Sequence, residues 1–376
     1  MPYLLRMFYF LKHFLIDSQL RRLRDNISRK KLLLHGRVVN PIIPEPVQQS
    51  VGRGQFIRPE RLHIYLSEYR DVFDAWFLDT QSYGYTDTPD GSHIVCTKIS
   101  DIRTNTDEYH IDITPSVIQI SYHSLAGFRY ALASLDQLLS QPHIMVGTIY
   151  DYPLHQWRGL HIDVARHFMP IEFLHETVRS MARLKLDYLH LHLCDDQGWR
   201  MESLVYPRLH QVGSVRRETV IGKQFFPFIQ GYQGDGISHG GYYTQAQLRE
   251  LVRYAQMLGI EIVPEIDIPG HATALLSAYP QYAAYNPPDE PQTRWGIFNH
   301  VISPSDDAIL FLQKLFTEVM DIFPSQYIHI GGDEVPLKYY QKSPIVRDMV
   351  GSGVLASYKQ APDYILGRIA QYLSEH

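Results

Sequence analysis

Beyond Trp157 the sequence alternates between short apolar runs and helix-patterned segments, and every run gives way to side chains capable of acid–base chemistry. The runs occupy residues 160–164, 188–193, 260–266 and 327–330. Short apolar runs separated by helices are the pattern of a buried parallel sheet. Helix starts support this parsing. Thr244 with Gln247 forms a capping-box signal, and Ser303, Pro304 and Asp306 offer an N-cap, a first-turn proline and an acid. Leu312, Leu315, Phe316, Val319, Met320 and Phe323 then make one apolar stripe, which Pro324 ends. The expected fold is α/β, of the (β/α)8 TIM-barrel type, with about the first four βα units represented.

Asp163 and Arg166 follow the first run, Asp195 and Asp196 the second, Asp267 and His271 the third, and Asp333 and Glu334 the fourth. Strand C-termini in such a barrel converge on one mouth, so these groups are expected to share an acidic pocket. Glycine and proline flank them, as in Asp267-Ile268-Pro269-Gly270-His271 and Gly331-Gly332-Asp333-Glu334, and permit tight turns where strand becomes loop. Asp163 and Asp196 read at least as well as caps or partners of backbone groups, and neither joins the catalytic set. His190 and His192 alternate with leucines and face one side of a strand. A hydrogen-bonded interior outweighs a metal site there, because a metal needs further ligands. Cys194 reads as a packed thiol and Trp199 as loop packing.

Asp333 and Glu334 are the sharpest feature. Successive side chains on an extended backbone point in opposite directions, a poor arrangement for two carboxylates facing each other across one glycosidic bond. One carboxyl can protonate a leaving oxygen while the other orients a different group, which favours a substrate that supplies its own nucleophile.

Upstream, Pro41, Pro44 and Pro46 mark a boundary. Tyr109, Ile111 and Ile113, then Ile118, Ile120 and Tyr122, alternate with polar residues around a Thr-Pro-Ser turn and predict a hairpin. Leu125, Phe128, Leu132, Leu135, Leu138 and Leu139 predict a helix after it. Residues 37–150 therefore read as a small α+β domain ahead of the barrel unit at 151–376. In residues 1–36, Leu4, Phe8, Leu11 and Leu15 share a helical face and basic residues follow. A packing helix or leader fits this segment best, with contact at a membrane surface ranked below. A net charge of −5 supplies no basic face for nucleic acid. Two cysteines, Cys96 and Cys194, imply neither a disulfide framework nor a thiolate zinc site.

The blocks Arg158-Gly159-Leu160-His161-Ile162-Asp163-Val164-Ala165-Arg166-His167, His190-Leu191-His192-Leu193-Cys194-Asp195-Asp196-Gln197-Gly198-Trp199, Pro264-Glu265-Ile266-Asp267-Ile268-Pro269-Gly270-His271 and His329-Ile330-Gly331-Gly332-Asp333-Glu334-Val335 together resemble glycoside hydrolase family 20, the β-N-acetylhexosaminidases. The resemblance implies hydrolysis of terminal N-acetylglucosamine or N-acetylgalactosamine from an oligosaccharide or glycoconjugate, with retention and with the acetamido oxygen as nucleophile. It implies that Glu334 is the general acid and then base, that Asp333 holds the acetamido N–H, and that Arg166 binds ring hydroxyls. Asp195 and His271 match polar residues beside the acid, Asp267 joins them as a substrate-binding candidate, and neither a metal nor an organic cofactor is expected.

After Glu334, Tyr364, Ile365, Ile369 and Leu373 recur at helical spacing, and strands five to eight of a barrel do not follow. The expectation is a truncated or split chain with little activity of its own. Two other functions compete: a sugar-binding or assembly fragment without turnover, and a metal-dependent hydrolase using His190, His192 and Asp195.

Overall fold

The computed structural model describes residues 40–77, 81–101, 105–141, 143–222 and 232–376. The helix expected in residues 1–36 lies outside them. The chain divides between Gln156 and Trp157 into two compact units, except that Arg183–Lys185 group with the first.

Among the described residues, the first unit is a seven-stranded mixed sheet with two helices. Its strands are β1 (Gln48–Phe56), β2 (Leu62–Leu66), β3 (Tyr83–Tyr85), β4 (Ile94–Lys98), β5 (Tyr109–Ile113), β6 (Ile118–Tyr122) and β7 (Ile144–Asp151), in the order β1-β7-β5-β6-β4-β2-β3. The helices are α1 (Arg70–Trp76) and α2 (Leu125–Leu139). The predicted hairpin is β5–β6, paired from Tyr109 opposite Tyr122 to Ile113 opposite Ile118. Its alternation is a burial pattern, since Ile111, Ile118 and Ile120 are fully buried with Phe128, Leu132 and Leu135 of α2. Ser124 caps α2 by accepting from Gly127 N–H.

In the second unit, β8 (Gly159–Asp163), β9 (Tyr188–His192) and β10 (Glu261–Glu265) pair in parallel in the order β10-β9-β8. They are connected through α3 (Ile171–Arg183) and α4 (Gln245–Met257). On β9, Leu189 and Leu191 are fully buried on one face while His190 and His192 share the other, as period-2 geometry requires. Leu174, Val178 and Met181 of α3 and Leu248, Leu251 and Ala255 of α4 are buried beside them. Thr244 and Gln247 form the expected capping box. Helix α5 (Thr273–Ala278), helix α6 (Asp306–Ile322) and helix α7 (Ala361–Glu375) follow, and α7 buries Ile365 and Ile369. Among the described residues no helix is long and apolar enough to cross a membrane.

Two local expectations are corrected. The N-cap of α6 is Ser305, which accepts from Ala308 N–H, while the Ser303 hydroxyl instead accepts from Ser305 N–H. The fourth apolar run is not a strand but a single bridge, Glu265 opposite His329. His329 N–H donates to Pro264 O, and Ile266 N–H to His329 O, as a parallel ladder requires. The next rung toward Tyr327 would take its donor from residue 264, a proline with no N–H. At the other end Gly331 (φ 67°) and Gly332 (φ 110°) turn the backbone away.

Candidate active site

Strand register creates the first layer of the site. Asp163 pairs with His192, His192 with Glu265, and Glu265 with His329, so one polar row crosses the C-terminal edge of the sheet. Glu265 Oε2 lies 2.6 Å from His192 Nδ1 and Oε1 lies 2.9 Å from His329 Nδ1. Burial alone would raise the Glu265 pKa, but the imidazoles of His190, 2.8 Å away, and His192 hold it well below the usual carboxylate range.

The loop after β9 supplies the second layer. Cys194–Asp195 pairs with Gly198–Trp199 in a two-residue antiparallel ladder, which fixes Asp195 beside the sheet edge. Its Oδ2 lies 2.6 Å from Arg166 Nη2 and 2.8 Å from His192 Nε2. Its Oδ1 accepts from Asp196 N–H and lies 3.2 Å from His271 Nδ1. Burial opposes the Asp195 charge, yet His192, His271 and Arg166 pull its pKa down to about 2.

Arg166 is anchored in turn by Asp163, 3.0 Å from its Nη1, while the other Asp163 oxygen accepts from Ala165 and Arg166 N–H. His271, at φ 46°, is held from below by Asp195 and Asp196, each 3.2 Å from Nδ1. Asp196 also accepts from the N–H and hydroxyl of Thr273. Burial works against charge on His271, but these two carboxylates push its pKa up to about 11.

The third layer is the pair itself. His271 Nε2 lies 3.4 Å from Glu334 Oε2 and 4.0 Å from Asp333 Oδ2. The two carboxylates thus approach one imidazole, contrary to the opposed directions expected of extended backbone. The reason is local: Glu334 adopts φ 50°, and the preceding glycines make the segment a turn. Gly331 is required there, because a Cβ would overlap Asp267 Oδ1. Asp267 accepts from Gly332 N–H at 3.2 Å. Its burial, reinforced by the nearby Asp333, raises its pKa to about 7.

Arg166, Asp195, Asp267, His271, Asp333 and Glu334, separated by up to 168 positions in the numbering, therefore form one continuous cluster. Asp333 and Glu334 are exposed, with side chains 67% and 47% accessible, whereas Asp195 and Asp267 are buried. Four members were passed over by sequence reasoning. Asp163 and Asp196 do bind backbone groups as expected, and they also hold Arg166 and His271. His192 and Glu265 face each other only through register.

Among the described residues, His161, His190 and Glu265 have ligand atoms close enough for a cation, as do His192, Asp195 and Asp267. The grouping of His190, His192 and Asp195 for metal chemistry is not what the cluster presents. Both His192 nitrogens already face carboxylate oxygens, and a nitrogen that donates a proton has no lone pair for a metal. Cys194 is a buried thiol whose pKa burial raises, and Trp199 is fully buried with its indole N–H donated to Met201 O.

A parallel βα unit with carboxylates, imidazoles and an arginine at its strand ends defines the class as an α/β, TIM-barrel-type catalytic domain, preceded here by a small domain. The family description "Glycosyl hydrolase family 20, catalytic domain" matches residues 155–376, and "Glycosyl hydrolase family 20, domain 2" matches residues 40–152. The chain belongs to glycosyl hydrolase family 20. It is 40% identical over 250 residues to a beta-hexosaminidase of Akkermansia muciniphila, covering 65% of this chain and 48% of that protein. It is 34% identical over 280 residues to a beta-hexosaminidase of Vibrio furnissii, covering 70% and 44%. The crystal structure of an exo beta-N-acetylglucosaminidase from Vibrio harveyi in complex with N-acetylglucosamine superimposes with a TM-score of 0.74 at 27% identity, covering 89% of this chain and 53% of that one. The chain spans about half the length of these relatives.

Proposed function

We propose that the chain carries the acid–base half of a site that removes terminal, β-linked N-acetylhexosamine by a substrate-assisted, retaining mechanism. Glu334 protonates the glycosidic oxygen and afterwards activates water. Asp333 accepts the acetamido N–H, so that the acetamido oxygen attacks the anomeric carbon and the positive oxazolinium-like intermediate lies beside a carboxylate. The scheme of two carboxylates facing each other across the bond does not apply to such enzymes, because the nucleophile belongs to the substrate. Arg166 binds ring hydroxyls. Asp195 and Asp267 are buried, so their action on the sugar passes through Arg166 and His271 in the first case and through the Gly331–Gly332 turn in the second.

The observation that carries this reading is the approach of Asp333 and Glu334 to one imidazole, His271, itself backed by Asp195 and Asp196. The names of the relatives and the N-acetylglucosamine complex of the Vibrio harveyi protein support it. In the same proposal, the domains read from the sequence as 37–150 and 151–376 are two folding domains whose boundary lies after β7, between Gln156 and Trp157, residues 1–36 are a leader, and the βα units described above form one part of a barrel wall.

The test is release of p-nitrophenol from its N-acetyl-β-D-glucosaminide and from the plain β-glucoside. Glu334→Gln should lower turnover by about 10²–10⁴-fold, and Asp333→Asn should impair only the acetamido substrate. Equal losses on both substrates would remove Asp333 from its role. The exposure of Asp333 and Glu334 favours a second reading, sugar binding without turnover, which the same chain would reveal by binding N-acetylglucosamine while leaving both substrates intact.

A further inference from the structure

The acid end of the site continues inward beyond the residues assigned so far. Glu265, His192, Asp195, His271 and Glu334 alternate carboxylate and imidazole, with closest approaches of 2.6, 2.8, 3.2 and 3.4 Å. The two oxygens of Asp195 divide this chain in the middle: Oδ2 faces His192 and Oδ1 faces His271. Glu265, His192 and Asp195 are all buried, at 4%, 4% and 1% exposure.

Hydrogen-bond chemistry fixes the form of His192. Each of its ring nitrogens faces a carboxylate oxygen, and a neutral imidazole would turn one lone pair against a negative oxygen. The carboxylate contacts at 2.6 and 2.8 Å favour protons on both nitrogens over the longer 3.2 Å contact from Arg166 Nη1, whose N–H would need a bare Nε2. Arg166 Nη1 lies 3.2 Å from His192 Nε2, so a second cation sits beside it, and Asp163, Asp195 and Glu265 together offset the two. His161, with its ring 5.9 Å away on β8, His190 and the buried Asp267, whose carboxylate comes within 4.8 Å of a His192 nitrogen, are the other titratable neighbours, and burial lowers the His161 pKa toward the neutral form. At the outer end, His271 Nε2 is a buried nitrogen without a hydrogen-bond partner, and it is aimed at Glu334.

We propose that His192, locked as an imidazolium between Glu265 and Asp195, is a positioning residue that fixes the charge and orientation of Asp195 and thereby the state in which His271 meets Glu334. His192 and Glu265 do not meet the substrate; they act through Asp195. With the imidazolium in place, Asp195 stays ionised, holds Nδ1–H of His271, and leaves Nε2 toward the acid. Without it, Asp195 Oδ2 is shared only with Arg166, and the carboxylate that anchors both the guanidinium and His271 loses one of its three cationic partners. Strand register enforces the arrangement, since His192 and Glu265 are direct neighbours on β9 and β10.

This inference rests on Glu334 as the acid, but its test does not need turnover. Ring-nitrogen NMR on the full chain reports the protonation of each histidine. In the unsubstituted protein, His192 should show two protonated nitrogens from about pH 5 to about pH 9, where an ordinary histidine would have titrated near 6.5. Glu265→Gln should lower the His192 midpoint by about 1 unit or more, and should also shift the His271 midpoint although Glu265 does not touch His271. A neutral His192 at pH 7 overturns the proposal with no variant needed, and an unmoved His271 in a folded Glu265→Gln protein overturns the coupling. If the chain hydrolyses the acetamido substrate, His192→Gln should lower kcat about tenfold or more with a smaller change in KM and displace the pH profile. An NMR result as expected in a chain without turnover would leave the coupling standing while favouring the reading of sugar binding without turnover.

Discussion

Asp195→Asn is the substitution that most directly weighs the buried charge cluster. It preserves volume but removes the negative charge that Arg166, His192 and His271 share at 2.6, 2.8 and 3.2 Å. Asparagine can still accept hydrogen bonds, yet its amide group donates where three donors already converge. Removing one partner of a buried ion pair costs about 3–5 kcal/mol, because the remaining charge is desolvated without compensation. Against a total stability of about 5–15 kcal/mol, that loss is readily measured by urea unfolding. The sign with pH follows from the depressed Asp195 pKa, about 2 in the folded protein against 3.8 for an unperturbed aspartate. Its contribution is complete above 3.8 and is lost as pH falls from there through about 2. The difference between the parent and Asp195→Asn should therefore be largest at neutral pH and shrink on acidification. In an Arg166→Met background the cost should fall by about 1–2 kcal/mol, since part of the stranded charge is gone. A cost below about 1 kcal/mol at neutral pH, or one that does not change down to pH 2, would refute the picture of a desolvated, charge-paired cluster.

Gly331→Ala places a Cβ at φ 67° against Asp267 Oδ1, so it should destabilise by more than the about 1–2 kcal/mol of the left-handed backbone alone, whereas Gly351→Ala, which meets nothing, should be close to neutral; thermal melts compare them. His271 and His192 have folded pKa values raised to about 11 and about 10, so the stability they add is fully present below 6.5 and is lost as pH rises through that range. A melting temperature that declines from about pH 6.5 upward in the parent, and declines less in His271→Gln, is the expected outcome; equal slopes would count against it. Glu318 on α6 is buried and accepts from the Ser203 hydroxyl, Leu204 N–H and the Gln245 amide. Glu318→Ala should cost about 2–4 kcal/mol by leaving these donors unpaired, and a loss within about 0.5 kcal/mol would show that water replaces the carboxylate.

Much of the site was legible in the chain because its residues obey local rules. Asp195, His271, Asp333 and Glu334 each follow an apolar run, and for Asp195 and His271 that run is a strand. The reading failed where a local pattern had a competitor. The run at 327–330 is apolar enough for a strand, but Pro264 on its neighbour withholds a donor and the paired glycines end the extension. At α6 two serines two residues apart both suit an N-cap, and Ser305 takes it while Ser303 turns to the Ser305 N–H.

The sequence by itself determined the β5–β6 hairpin, strands β8, β9 and β10 and helices α2, α4 and α6, because side-chain period and capping chemistry act within a few residues. It also determined that acids, imidazoles and an arginine stand at strand ends. Only the tertiary structure decided that Glu265 meets His192, 73 positions away, and that Asp163 and Asp196 serve Arg166 and His271. Those pairings depend on register between strands and on burial that makes each charge need a partner, and neither is encoded in the period of any single segment.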